Sequence, residues 1–304
     1  MTGPNTPDRT ATIFLIAGMM LCLTFGIVLI PAHSAAQTPA AVSVTIPSLP
    51  YPLSGLRKRL IDQGKAVPDV DVTLQSSIPA QYYGPSEDMP GSANKHAAIV
   101  ALPDCDDHFP LDWITTLQTA GISVLLISPG QAHPAQDYCG GGQLQNPKHG
   151  LSFWAFDALS ALDYLASQKD IDPDRIAVFG YGYGAGAAQL AIYRDGHAKH
   201  YTNRFRTLIG LRPQCMSEMN NFVPSLLIGV RNDPFDPPSW CKWRMDRDLT
   251  VDRAPVRFEM VESGEIIEKQ ATRKELKIET GSPTIALVTN FLAETGFTEE
   301  QRQN

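Results

Sequence analysis

Short apolar runs alternate with amphipathic segments over most of the chain after residue 96. The apolar runs predict buried strands at 97–102, 123–127, 175–179, 207–211, 226–230 and 256–261. Helical spacing of apolar residues predicts helices at 112–120, 151–168, 184–193 and 284–295. This alternation is typical of an α/β fold, in which helices cover both faces of a mostly parallel central sheet. Chemistry in such folds belongs to the loops that follow the strands.

The N-terminal residues follow a different pattern. Residues 11–30 are an almost unbroken apolar run that is long enough to span a bilayer, and Arg9 is the only basic residue before it. Ser34 and Ala36 are small residues that suit signal peptidase cleavage after Ala36. We expect residues 1–36 to be a cleaved signal peptide or a retained membrane anchor. Either would place the rest of the chain outside the cytoplasm, in the periplasm or secreted.

The remaining chain is expected to contain one domain. Residues 37–68 are rich in Pro, Ala and Ser, and we interpret them as a flexible leader. The domain proper would then occupy residues 69–304, with an early hairpin formed by strands at 70–75 and 80–83. The net charge of -7 gives no support for a nucleic-acid partner, which would need a basic face. Contact with a membrane is expected only if the N-terminal segment is retained.

The cysteines fit an oxidising compartment. Five are present, and Cys22 lies inside the apolar N-terminal run. The other four are Cys105, Cys139, Cys215 and Cys241. An even number of cysteines in an exported chain favours two disulfides, for which the sequence alone allows three pairings. No CxxC pair is present, and the acidic residues near His108 are more typical of a solvated loop, so we expect no metal or other cofactor.

A glycine-rich segment carries the main chemical signal. Residues 175–186, RIAVFGYGYGAG, predict a strand, a tight turn and a helix. This order resembles the nucleophile elbow G-x-S-x-G of hydrolases, with Gly182 at the central position. The alternatives are an ordinary strand-to-helix turn or a phosphate loop, although the spacing is not G-x-G-x-x-G. Because Gly182 has no side chain, it leaves the nucleophile position vacant.

Four short motifs elsewhere have the order and spacing of one family. They are LPDC at 102–105, ISPG at 127–130, DPDRI at 172–176 and LIGVRND at 227–233. Together with the elbow they resemble the dienelactone hydrolase family between residues 70 and 295, especially its exported members with extra cysteines. The resemblance implies an α/β-hydrolase fold. It also implies esters or lactones as ancestral substrates.

The family mechanism needs a Cys or Ser nucleophile, a His, an acid and backbone N–H donors for the oxyanion. The resemblance makes Asp233 the remnant acid, with Asp236 in reserve. The His would have to follow the acid in the chain, but the last histidine is His200. In the oxyanion loop, Pro103 lacks an N–H, and Asp104 puts a carboxylate where negative charge would develop.

Two further predictions follow from the resemblance. Tyr181 and Tyr183 flank the vacant elbow position and are expected, with Asp104, to fill or line the ligand pocket. The cysteines lie on loops after neighbouring strands in two pairs, which predicts the disulfides Cys105–Cys139 and Cys215–Cys241.

Loss of the nucleophile, the His and the oxyanion loop predicts an exported pseudo-hydrolase that binds a small ligand or a partner. The alternative is an active ester or lactone hydrolase that uses a non-standard nucleophile. Ser128, Ser152 and Ser263 are the candidates for that role, and none has a recognisable His partner in the sequence.

Overall fold

The structure is a computed structural model. It describes residues 40–50, 52, 55–65, 77–85, 95–105, 107–132, 147–215, 219–233, 237–247, 253–262, 266–269, 273–276 and 283–298. The N-terminal segment 1–36, the predicted strand 70–75 and Cys139 lie outside these residues.

An eight-stranded sheet organises the described part of the chain. Its strands are β1 Val42–Pro47, β2 Ser77–Tyr83, β3 His96–Leu102, β4 Ile122–Ile127, β5 Ile171–Tyr181, β6 Leu208–Leu211, β7 Ser225–Val230 and β8 Val256–Val261. Their order across the sheet is β1-β2-β4-β3-β5-β6-β7-β8. The pairings β1–β2 and β2–β4 are antiparallel, and the other five are parallel. A separate antiparallel hairpin joins β9 Ile266–Lys269 to β10 Arg273–Leu276.

Helices cover both faces of this sheet, as predicted. They are α1 Gly55–Asp62, α2 Leu111–Thr119, α3 Pro129–Ala132, α4 Pro147–Ala166, α5 Tyr183–Ala191, α6 Ser239–Arg247 and α7 Pro283–Glu294, with a short 3-10 helix at His197–His200. Alternate residues of β3 contribute to two core clusters, one containing α4 and α5 and the other α2 and α7. Both faces of the strand are therefore buried, and this explains its continuous apolar sequence.

The N-terminal edge of the sheet differs from the prediction. Residues 37–68 are not simply a flexible leader, because β1 pairs along its full length with β2 and Ile46 is completely buried. The sequence VSVTIP alternates apolar and polar residues, which is the pattern of a strand with one buried face. The Pro- and Ala-rich composition of the surrounding residues obscured this alternation.

The predicted disulfide Cys215–Cys241 is present, with the two Cα atoms 5.0 Å apart. It joins the loop after β6 to helix α6, and both cysteines are completely buried. Cys105 is also disulfide-bonded. Its predicted partner, Cys139, lies outside the described residues. Within the part of the chain that the structure describes, no helix is long and apolar enough to cross a membrane.

We expect the variant Cys215→Ala/Cys241→Ala to lose about 3.5 kcal/mol of unfolding free energy, because the bond closes a loop with a sequence separation of 26. Urea unfolding of the oxidised wild type and the variant measures the difference. Each single alanine variant already lacks the bond, so each should be nearly as destabilised as the double variant. Additive losses from the two single variants would contradict this expectation.

Candidate functional site

The turn between β5 and α5 has the geometry of a sharp strand-to-helix elbow. Gly182 is its central residue, with φ +55° and ψ -116°. Its N–H donates to the carbonyl of Leu211 at 2.9 Å, and its own carbonyl accepts from the N–H of Ala185 at 3.0 Å. A positive φ costs glycine little and is strained for other residues. The turn is therefore held from both sides in the conformation that an elbow requires.

The loop after β3 packs directly on this turn. A Cβ on Gly184 would collide with the carbonyls of Leu102 and Pro103. Only a glycine allows the first turn of α5 to approach the loop so closely. This contact brings the residue that follows Pro103 over the elbow.

Asp104 is that residue, and its side chain binds the N-terminus of α5. One carboxylate oxygen, Oδ1, accepts the backbone N–H of Tyr183 at 3.0 Å and the backbone N–H of Cys105 at 2.8 Å. The backbone of Asp104 is fixed as well, since its N–H donates to the carbonyl of His108 at 2.8 Å. Tyr183 begins the helix, so its N–H has no partner within the helix, and the helix dipole favours a negative charge there.

The same carboxylate occupies the space above Gly182. A Cβ at position 182 would lie 2.6 Å from Cγ of Asp104 and 2.7 Å from each of its oxygens. Such distances are too short for any real side chain. A side chain at position 182 would therefore force the carboxylate of Asp104 to move, at the expense of its hydrogen bonds to Tyr183 and Cys105.

Asp233, the candidate acid, lies in the loop after β7, three residues beyond Val230, and is paired with an arginine. Nε of Arg212 donates to Oδ2 of Asp233 at 2.6 Å, and Nη2 donates to Oδ1 at 3.2 Å. Both side chains are almost completely buried. The guanidinium also lies 5.7 Å from the centre of the Tyr181 ring. Asp236, the reserve acid, lies outside the described residues.

Arg212 was not anticipated from the sequence. It follows β6 directly, at the same edge of the sheet as the elbow and the acid loop, and adopts φ +54°. The sequence did offer one signal for Arg212, namely its place directly after a buried strand, where functional residues of such folds lie.

The position expected for a catalytic His holds none. Glu262 follows β8 directly, and its carboxylate accepts from Nε of Arg231 at 2.7 Å on the surface. His108 lies in the loop after β3, with its ring 6.3 Å from that of Tyr181.

The two tyrosines that flank Gly182 belong to the core. Tyr181 and Tyr183 are each 2% exposed, and they pack into the two different core clusters. Tyr183 meets the ring of Trp154 edge to face at 4.9 Å, and burial raises the pKa of its hydroxyl to about 12. The sheet and its turn therefore direct the two side chains to opposite faces, and their role in a ligand pocket stays a prediction.

One candidate serine does have a histidine partner, contrary to the sequence-based expectation. Oγ of Ser152 lies 2.7 Å from Nε2 of His197. This hydrogen bond joins α4 to the 3-10 helix. Burial, followed by the positive charges of His200 and Lys199, lowers the pKa of His197 to about 4. Ser128 lies at the end of β4, where its N–H donates to a backbone carbonyl, and Ser263 is outside the described residues.

Among the residues that the structure describes, no three His, Cys, Asp or Glu side chains are arranged to hold a metal ion. Asp106, part of the acidic loop near His108, lies outside them.

Comparisons with known proteins agree with this architecture. Esterase 2 of Thermogutta terrifontis, in its form phosphoramylated by tabun, is similar with a TM-score of 0.55 and 12% identity, over 87% of this chain and 98% of that one. The dienelactone hydrolase of Anabaena variabilis is similar with a TM-score of 0.50 and 14% identity, over 85% of this chain and 99% of that one. The chain has the α/β-hydrolase fold. Its sequence matches no protein-family model and no curated protein.

Within this α/β-hydrolase fold, His197 is expected to make stability depend on pH. Its pKa is about 4 when folded and near 6.5 when unfolded, so the unfolded chain binds more protons between these values. The unfolding free energy should therefore fall as the pH is lowered from about 6.5 to about 4, by at most about 3 kcal/mol, and this contribution should level off below that range.

Urea unfolding across this pH range, compared between the wild type and His197→Gln, isolates the effect. The exposed His200 provides a control, because His200→Gln should retain most of the dependence of the unfolding free energy on pH. If the unfolding free energy of His197→Gln depended on pH as strongly as that of the wild type, the assignment of this dependence to His197 would be wrong.

Proposed function

We propose that this chain is an exported, catalytically inactive α/β-hydrolase-fold protein that binds a small ligand or a partner at the remnant of the hydrolase site. One observation carries the proposal. The carboxylate of Asp104 lies over Gly182 and accepts the backbone N–H groups of Tyr183 and Cys105.

These two N–H groups come from the places that supply the oxyanion hole in this fold. One belongs to the residue after the nucleophile position, and the other to the loop after β3. Ester hydrolysis needs such donors free for the negative oxygen that develops in the transition state. Here Asp104 already brings a negative oxygen to both donors, so an oxyanion would have to displace it and would meet repulsion. Gly182 offers no atom to attack a carbonyl.

The acid site supports the same proposal. In a working triad the acid orients a histidine, which takes the proton of the nucleophile. Asp233 instead binds Arg212 through two hydrogen bonds. An arginine side chain stays protonated in proteins and cannot serve as a general base.

The second oxygen of Asp104 indicates what kind of ligand would suit the site. Asp104 is only partly buried, and no described residue donates a hydrogen bond to its Oδ2. This oxygen can accept, but it cannot donate. A ligand with an ammonium, N–H or O–H group fits it better than the carbonyl of an ester does.

Export is supported by the disulfides. Cys215–Cys241 and the bonded Cys105 are typical of an oxidising compartment, since cytosolic thiols are kept reduced. The small residues that precede Gln37 in the sequence add to this support.

One observation favours the alternative of an active hydrolase, namely the Ser152–His197 hydrogen bond. A serine and a histidine in contact are the core of a nucleophile and its base. Two features weigh against this role. Ser152 lies within helix α4 and not on the elbow, and a histidine with a pKa of about 4 is a poor base at neutral pH.

We expect the exported form to hydrolyse p-nitrophenyl acetate no faster than buffer and to resist labelling by a fluorophosphonate probe. Gly182→Ser alone should remain inactive, because its side chain would collide with Asp104. The matched variants Ser152→Ala, His197→Gln and Asp233→Asn distinguish an inactive protein from an active hydrolase with a non-standard nucleophile. Wild-type turnover or labelling that disappears in any of them would overturn the proposal of inactivity.

A second experiment tests the occupied donor site itself. Asp104→Ala should lower the unfolding free energy by about 2 kcal/mol, because two N–H groups lose a charged acceptor. Acetate should then bind the freed donors and raise the melting temperature of the variant, while leaving the wild type unchanged.

Asp172 provides the control, since its carboxylate also accepts a backbone N–H, that of Asp174 at 3.1 Å, and it lies at the start of β5, where it also pairs with Arg175. Asp172→Ala should gain nothing from acetate. Equal effects of acetate on both variants, or no effect on Asp104→Ala, would refute an anion site beneath the carboxylate.

A further inference from the structure

Helix α6 exposes two tryptophans. Trp240 is 59% exposed and Trp243 is 46% exposed, whereas Trp113 and Trp154, the other two of the chain, are buried. An indole ring has a large apolar surface and one N–H, so full exposure to water is costly and two neighbouring cases on one helix mark an interaction surface.

The helix is held with this surface outward. Cys241 is completely buried and is bonded to Cys215, which fixes the inner side of α6 against the domain. The spacing of Trp240, Trp243 and Arg247 places these three residues on one side of the helix. We call this side, together with Arg244, the Trp–Arg face.

The Trp–Arg face is basic on a chain that is acidic as a whole. Helix α6 carries Lys242, Arg244 and Arg247 against a single acidic residue, Asp246, while the net charge of the chain is -7. The guanidinium carbons of Arg247 and Arg244 lie 4.7 Å and 5.7 Å from the centre of the Trp243 ring. The aromatic and cationic groups therefore form one patch and not two separate features.

We infer that the Trp–Arg face docks on the anionic phospholipid surface of a membrane. Tryptophan is favoured at the boundary between headgroups and acyl chains, and Lys and Arg are attracted to the phosphates at that level. Exposed indoles flanked by cations on the polar side of a short helix match this layered surface. The apolar run 11–30, if retained, would keep the domain near the same surface.

This docking requires no membrane-spanning segment and does not depend on whether the hydrolase site is active. Two indoles and two cations provide a weak, reversible attachment, since stable anchoring needs more buried apolar surface.

The test uses a chain that begins at Gln37, so that the apolar run does not contribute. Residues Thr38–Asn304 form a compact unit by themselves. Vesicles of phosphatidylcholine alone, or mixed in equal parts with phosphatidylglycerol, are added, and tryptophan emission and co-sedimentation are recorded. Because Trp113 and Trp154 are already buried, a shift of the emission to shorter wavelength reports on Trp240 and Trp243.

We expect this shift with the anionic vesicles and little or none with the neutral ones. Arg244→Gln/Arg247→Gln should lower the partition onto anionic vesicles about 25-fold, since each cation contributes roughly a factor of five. Trp240→Ser/Trp243→Ser should abolish sedimentation. Leu111→Ser, which removes an exposed apolar side chain from helix α2, should leave it unchanged.

Several outcomes would overturn the inference. One is the absence of any shift with anionic vesicles, and another is equal sedimentation of the wild type and the two double variants. Binding to poly-L-glutamate without any shift on vesicles would assign the Trp–Arg face to an acidic protein partner. Unchanged melting temperatures of the variants show that lost binding does not come from lost folding.

Discussion

The hydrogen bonds from Tyr183 and Cys105 to the carboxylate of Asp104 are the interaction on which the site depends. They join the loop after β3 to the first turn of α5, across the centre of the parallel sheet. A hydrolase keeps these donors empty until the transition state and accepts the cost of unpaired N–H groups. In this structure the carboxylate of Asp104 satisfies both donors and caps the first turn of α5.

The ion pair of Arg212 and Asp233 has a similar effect on the acid. A buried carboxylate without a partner is unfavourable, and an arginine can stabilise it by two hydrogen bonds without taking part in proton transfer. Both changes leave a hydrolase fold with satisfied polar groups at the end of the sheet where catalysis would occur.

The central strands could be predicted from the sequence because burial of both faces makes them continuously apolar, as in 97–102 and 226–230. Strand β1 was missed because only one of its faces is buried. Helix α6 was missed because its composition is polar and its two tryptophans point outward. Cys241, held by its disulfide, and Met245 attach its inner side to the core.

For the site, the motif order singled out Gly182, Asp104 and Asp233 as candidates, and each of them follows a parallel strand of the sheet. The hydrogen bonds of Asp104 needed the turn geometry. Likewise, nothing in a linear sequence separates Arg212 from a surface arginine, or relates Ser152 to His197 across a separation of 45 residues. These pairs form only when separate elements pack together.

The disulfide Cys215–Cys241 links the redox state of the compartment to both ends of one functional edge. Cys215 follows Arg212 by three residues on the loop after β6, and Cys241 lies between the two exposed tryptophans on α6. The bond therefore constrains, at one point, both the loop that carries this arginine and the helix that carries the tryptophans. Under the proposed export, this covalent constraint would form only once the chain has left the reducing cytoplasm.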